Sequence, residues 1–172
     1  MNNLSFHITD ITANSIRANA SEIGLSVEEQ DARIVIRITD NGSGMDAETA
    51  RRVTNPFYTT RTTRKVGLGL PFLIQNAEQT GGSVTLTSEP GKGTDVRAVF
   101  HSDHIDCPPW GDLPGTVALL ITGNPKINVC FEYRSGETGY SISTNEIKEI
   151  LDGVPLSHPK VMLLIKLSLI HI

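Results

Sequence analysis

Residues 40–70, DNGSGMDAETARRVTNPFYTTRTTRKVGLGL, place a glycine turn at each end of one polar stretch. The first turn, Asp40-Asn41-Gly42-Ser43-Gly44, follows the alternating run Arg33-Ile34-Val35-Ile36-Arg37-Ile38-Thr39. Such alternation predicts a half-buried strand, with the Asp40 carboxylate at its mouth where a ligand can meet it. The second turn, Gly67-Leu68-Gly69-Leu70, precedes Pro71 and an apolar set, Leu70, Leu73, Ile74 and Ala77, spaced as one helix face. The free N–H groups and positive dipole end of a helix starting there suit phosphate. Either turn alone is more often only a turn, so the weight lies on their pairing around one polar segment.

The rest of the chain frames that pair. Residues 4–20 predict a helix from the recurrence of Leu4, Ile8, Ile11, Ser15 and Ala18, and a polar stripe of His7, Asp10, Asn14 and Arg17 runs beside the apolar one. Ser5, Thr9, Thr12 and Asn19 fall opposite the apolar stripe and are expected in solvent. Strands follow over 23–29 and 32–39, joined near Gln30-Asp31, then a short helix over 46–52 capped by Asp46. The threonine-rich segment over 54–66 reads as a lid, and a helix over 70–80 ends at Gly81-Gly82. A hairpin of 83–88 and 94–100 completes a two-layer α+β domain over 1–100, a mixed sheet with helices on one face.

Residues 101–111, HSDHIDCPPWG, read as a connector without recognised zinc spacing, and no metal is assigned to it. Beyond lies a small α+β appendage over 112–172: a helix over 113–122, a hairpin over 127–142, a helix over 144–151 with a Ser143 and Glu146 capping box, and a last helix starting near Ser157 or Pro159. Trp110 and Tyr133 serve packing or recognition equally well. Residues 167–172, LSLIHI, read like a translated library adapter, so a sequencing scar on a truncated chain is one account of them.

Composition narrows the partners. With 15 Lys and Arg against 19 Asp and Glu, the chain has a net charge of -4, so no basic field points to nucleic acid or a membrane surface. Two cysteines far apart, Cys107 and Cys130, fit a reducing compartment. Without a signal peptide or an apolar run long enough to span a bilayer, the expectation is a cytoplasmic protein.

In that order, the helix stripe, the two glycine turns, the lid and the Gly93-Thr94 strand start resemble the GHKL ATPase superfamily, which groups gyrase, a heat-shock chaperone, histidine kinases and a mismatch-repair ATPase. Within it, the NPFYTTRTTRKVGLGLP run and the DCPPWGDL connector look similar to small stand-alone, histidine-kinase-like ATP-binding proteins, some found beside iron-only hydrogenase genes. The resemblance implies ATP and Mg²⁺ as cofactors. It implies Asn14 as a metal ligand, Arg17 as a phosphate contact, Asp40 as acceptor for the adenine amino group, and Gly42 and Gly44 as positions where the backbone approaches the base. It further implies Phe57 beside the lid, Gly67, Leu68, Gly69 and Leu70 on the phosphates, and Thr94 as support for Asp40. Arg61, Arg64 and Lys65 would touch the terminal phosphates on lid closure, or form a solvated loop.

Asp10 stands four residues before Asn14, where hydrolytic members carry Glu, and its carboxylate reaches one methylene less far. No phosphoacceptor histidine segment precedes the stripe. The expected function is therefore an ATPase or protein kinase with Asp10 as base or orienter, acting on a separate partner protein. The alternative is a nucleotide-dependent switch with little turnover.

Overall fold

A computed structural model of the chain describes residues 3–55 and 69–170. Among these residues six strands form one sheet: β1 (Glu22–Gln30), β2 (Arg33–Asp40), β3 (Ser83–Glu89), β4 (Gly93–His101), β5 (Asn128–Ser135) and β6 (Thr138–Ser143). Their order is β3-β4-β2-β1-β5-β6, antiparallel throughout except that β5 runs parallel to β1. The helices are α1 (Leu4–Arg17), α2 (Ala47–Thr54), α3 (Gly69–Gln79), α4 (Leu113–Thr122), α5 (Thr144–Leu151) and α6 (Pro159–Leu169). This is the expected α+β class with a mixed sheet.

The strand alternation sets the layers. One register row runs Leu86, Val96, Ile38, Leu25, Phe131 across five strands, and its neighbour pairs Val27, Ile36 and Ala98. These side chains belong to one core with Leu4, Ile8 and Ile11 of α1 and Leu70 and Leu73 of α3. Phe100 and Phe131 are fully enclosed, and burying a side chain of that size contributes roughly 1.5–3 kcal/mol. The opposite face carries polar pairs such as Arg37 and Asp95, joined by two hydrogen bonds at 3.1 and 2.6 Å.

Local chemistry sets the boundaries. Asn3 caps α1, its side chain accepting from Phe6 N at 2.7 Å. The helix stops at Arg17, short of the expected Ala20, because Asn19 takes a left-handed φ of 60°. The β1–β2 turn is Asp31-Ala32, one residue later than expected, with φ of 52° and 58°, a two-residue turn whose twist matches the strands. Asp46 caps α2 through Thr49 N at 2.7 Å, as expected. α6 starts at Pro159, as expected, with His158 as its cap.

The segment after residue 101 joins this framework closely. β5 adds to the free edge of β1, and α4 packs on α1. The connector is tied down at both ends of its aromatic residue: Trp110 Nε1 donates to Glu29 Oε1 at 2.7 Å, while Trp110 O accepts from Ser5 Oγ at 2.6 Å and Ser5 N at 3.0 Å. Tyr133 OH donates to the other oxygen of Glu29. Both aromatics therefore have structural partners. The same packing corrects the expectation for the far face of α1: Ser5 and Thr12 are buried, and Thr12 Oγ1 satisfies itself on Ile8 O at 2.8 Å. Thr9 and Asn19 are exposed as expected.

Candidate functional site

β2 carries Asp40 to the end of the sheet, where its Cα partner is Thr94 at the start of β4. α1 crosses above them. Ser15 Oγ donates to Asp40 Oδ2 at 2.6 Å, and Gly42 N donates to Oδ1 at 2.9 Å. Each carboxylate oxygen thus holds one donor, and an ionised carboxylate has about four lone-pair sites, so acceptor capacity remains for a third group. Beside it opens a cavity of about 220 Å³, walled by Ile38, Val96, Met45, Val53 and Leu70 and edged by Asn14, Arg17, Asp40 and Thr94. An apolar slot with one fixed carboxylate suits a flat heterocycle bearing an exocyclic amine.

Two glycines around Asp40 are set by the chain itself. Gly44 has φ of 68°, and a Cβ there would stand 1.9 Å from Glu89 O. Gly93 has φ of 117°, and its Cβ would stand 1.9 Å from Asp40 O. The turn over 40–44 and the β3–β4 turn over 89–93 therefore interlock, with Gly91 N donating to Ser43 O at 2.7 Å. Thr94 lines the cavity, but its hydroxyl pairs with Ser88 Oγ at 2.9 Å, and Ser88 Oγ also accepts from Met45 N at 2.9 Å.

Asp10, Asn14 and Arg17 share one edge of α1, and an Nη2–H of Arg17 donates to Asn14 Oδ1. Burial pushes the Asp10 carboxyl above its ordinary pKa, and the positive charge of Arg17 works against that shift. The first turn of α3 lies against it, since a Cβ on Gly69 would come within 3.0 Å of Asp10 Cβ. The start of the second glycine turn's helix and the acidic residue of the stripe are thereby neighbours. His7, a turn lower, is buried, and its Nε2 lies 2.7 Å from Asn76 Nδ2 of α3. Desolvation lowers its pKa, so it is a neutral cross-tie between α1 and α3.

Of the residues singled out from sequence, Asn14, Arg17, Asp40, Gly44, Leu70 and Thr94 line one cavity, Gly42 bonds Asp40, and Asp10 meets Gly69. Phe57, Arg61, Arg64, Lys65, Gly67 and Leu68, and nearly all of the lid segment, lie outside the described residues. Two residues escaped the sequence reading. The helix periodicity groups Ser15 with the apolar stripe, and its hydroxyl among aliphatic positions is the available signal. Ser88, in β3, carries no pattern that marks it.

Comparison with known proteins bears on the family and the fold. The model of the histidine kinase-, DNA gyrase B-, and HSP90-like ATPase family matches residues 3–104, and the chain belongs to that family. It is similar to the sensor histidine kinase YxdK of Bacillus subtilis, 29% identical over 104 residues that cover 56% of this chain and 32% of that protein. It is also similar to sporulation kinase C of the same organism, 30% identical over 101 residues, covering 58% and 23%. The chain thus spans a third or less of those two curated relatives. The fold matches the crystal structure of the N-terminal domain of a DNA repair protein, with a TM-score of 0.60 at 17% identity over 83% of this chain and 52% of that one. The chain therefore carries an ATP-binding domain of the histidine-kinase type.

Proposed function

We propose that the chain binds Mg-ATP in the cavity between α1 and the β2–β4 end of the sheet, and acts as an ATPase or protein kinase on a separate partner protein. The observation that carries this reading is Asp40: a carboxylate held on both oxygens by Ser15 and Gly42 at the edge of an apolar slot, presenting remaining acceptor sites to an adenine amino group. The Asn14 side chain offers a neutral oxygen donor at the cavity rim, which fits a hard cation that takes its other ligands from phosphates and water. When bound, Mg²⁺ would neutralise charge on the transferring phosphates. Asn14 would hold the ion, the N–H groups at the start of α3 would face the phosphates, and Asp10 would take or orient the proton of the attacking group.

The kinase relatives in the comparison support the transferase form of this reading, with the partner identified only as a protein bearing a hydroxyl or imidazole acceptor. The similarity to stand-alone proteins found beside hydrogenase genes is a narrower form of it. One observation favours a slowly turning switch instead: the carboxyl near the phosphates is the shorter Asp10, packed against Gly69 with its pKa raised. No helix among the described residues is long and apolar enough to cross a membrane, and both cysteines are free, which suits a cytoplasmic setting. Incubation with γ-labelled ATP, alone and with cell lysate, tests the reading. Label on protein supports the kinase form and free phosphate the ATPase form; nucleotide bound without either supports the switch.

A further inference from the structure

We infer that Arg17 is a two-position cation, which sits on the metal's own ligand when nucleotide arrives without Mg²⁺ and yields that ligand when Mg²⁺ comes. The inference rests on the Mg-ATP reading above and concerns how this site pays attention to its metal. Arg17 is the last residue of α1, three positions after Asn14 on the same helix edge. At a helix C-terminus a guanidinium is well placed by the dipole and is free to extend into water. Here it turns back instead, and an Nη2–H donates to Asn14 Oδ1. Among the described residues it makes no ion pair with a carboxylate, and its charge stands at the rim of the cavity, where it also acts on the Asp10 carboxyl.

One amide oxygen cannot serve both cations. Mg²⁺ sits about 2.0–2.1 Å from its ligands and demands near-octahedral geometry. A guanidinium on the same oxygen would stand a few ångströms from a divalent charge and be repelled by it. Arg17 would then yield Asn14 to the metal and could turn its planar fork toward phosphate groups. In the absence of metal, Arg17 supplies positive charge at the place where the metal would have supplied it. The site should accordingly tolerate ATP without Mg²⁺ better than one whose asparagine stands alone, and Arg17 should set how steeply nucleotide affinity depends on the metal.

The test is calorimetric titration of ATP into the whole chain, wild type and Arg17→Met, in EDTA and in saturating Mg²⁺, with melting curves confirming that the variant is folded. Arg17→Met should lose about tenfold or more in EDTA but only about threefold in Mg²⁺, because loss of a charge-assisted contact is largest where no other cation compensates. Arg17→Lys, which keeps the charge but not the fork, should recover part of the affinity in EDTA. AMP, lacking the outer phosphates, should bind wild type and Arg17→Met equally in both media. Equal losses for ATP in the two media would make Arg17 a plain phosphate contact and overturn the inference, as would no loss in either. Failure of the wild type to bind ATP in both media would instead remove the Mg-ATP reading, and this inference with it.

Discussion

Ser15 and Asp40, twenty-five residues apart in sequence, are joined by a 2.6 Å hydrogen bond that pins the carboxylate at the edge of the cavity to the helix above it. Under the proposed function, that link would make recognition of the base depend on the register of α1 against β2. Replacing Ser15 by Ala removes one of two fixed donors on Asp40. A hydrogen bond to a charged group is worth roughly 1.5–3 kcal/mol, so affinity for ATP should fall about tenfold or more in Ser15→Ala. Asp40→Asn should weaken ATP further while changing GTP little, since guanine presents an oxygen where adenine presents its amine. Calorimetry with both nucleotides checks this, and equal losses for ATP and GTP would disprove the assigned role of Asp40.

The interlock of the two turns gives a stability prediction with its own control. Gly93→Ala places a methyl 1.9 Å from Asp40 O at φ of 117°, whereas Gly91→Ala meets nothing within 4 Å at φ of 77°. Gly91→Ala should therefore cost only the left-handed backbone preference, about 1–2 kcal/mol. Gly93→Ala should cost more than that, and should also disturb ATP binding because the carbonyl it strikes belongs to Asp40. Denaturant unfolding of both variants measures the difference, and similar losses would mean that the contact relaxes freely.

How much of this was legible beforehand follows from the physical range of each signal. The place of Asp40 at the end of β2, the first glycine turn and the Asp10, Asn14 and Arg17 edge of α1 were legible because strand alternation and helix periodicity are local, and each fixes where a neighbouring side chain points. The burial of Ser5 and Thr12 was not, since it depends on the connector at Trp110 and on α4, more than ninety residues later, reaching the far face of α1. The same is true of the Ser15 bond: a serine on an apolar stripe looks like a tolerated core substitution until β2 brings a carboxylate to it. Pairing of β5 with β1 was equally hidden, because an edge strand that stays open and one that receives a distant partner share the same alternating pattern.

Glu29 holds Trp110 on one oxygen and Tyr133 on the other, linking β1 to the connector and to β5. Burial first, then the hydrogen bond and charge of Glu29, push the Tyr133 phenol up to about 12. A raised folded value means that this contribution to stability is fully present below the ordinary pKa of 10 and is lost as pH rises through about 12. Ultraviolet titration should accordingly show one of the three tyrosines ionising late, and Tyr133→Phe should remove that late step. A single transition near 10 for all the phenols would contradict the clamp. Glu29→Gln should bring the late step back toward 10.

The final prediction concerns Asp10, whose two expected properties oppose each other. Burial raises its pKa, so the folded state favours the neutral carboxyl relative to the unfolded chain. The stability this contributes is present below the ordinary value of 3.8 and is lost as pH rises through the raised folded value. At pH 7 the ionised group is therefore a burden on the fold. Asp10→Asn should raise the melting temperature at pH 7, and that gain should shrink as the pH falls below 4, where the wild-type carboxyl is itself neutral. It should leave ATP affinity unchanged or tighter, since a negative charge near the phosphates is gone while Asn14, Asp40 and the start of α3 remain. If Asp10 serves as base or orienter, phosphoryl transfer or hydrolysis should fall about 10²- to 10⁴-fold in the same variant. A stabilised variant with undiminished turnover would take Asp10 out of the chemistry and leave it as a partly buried neighbour of Gly69; a stabilised variant with turnover lost would show that the chain keeps an unfavourable charge because the reaction needs it.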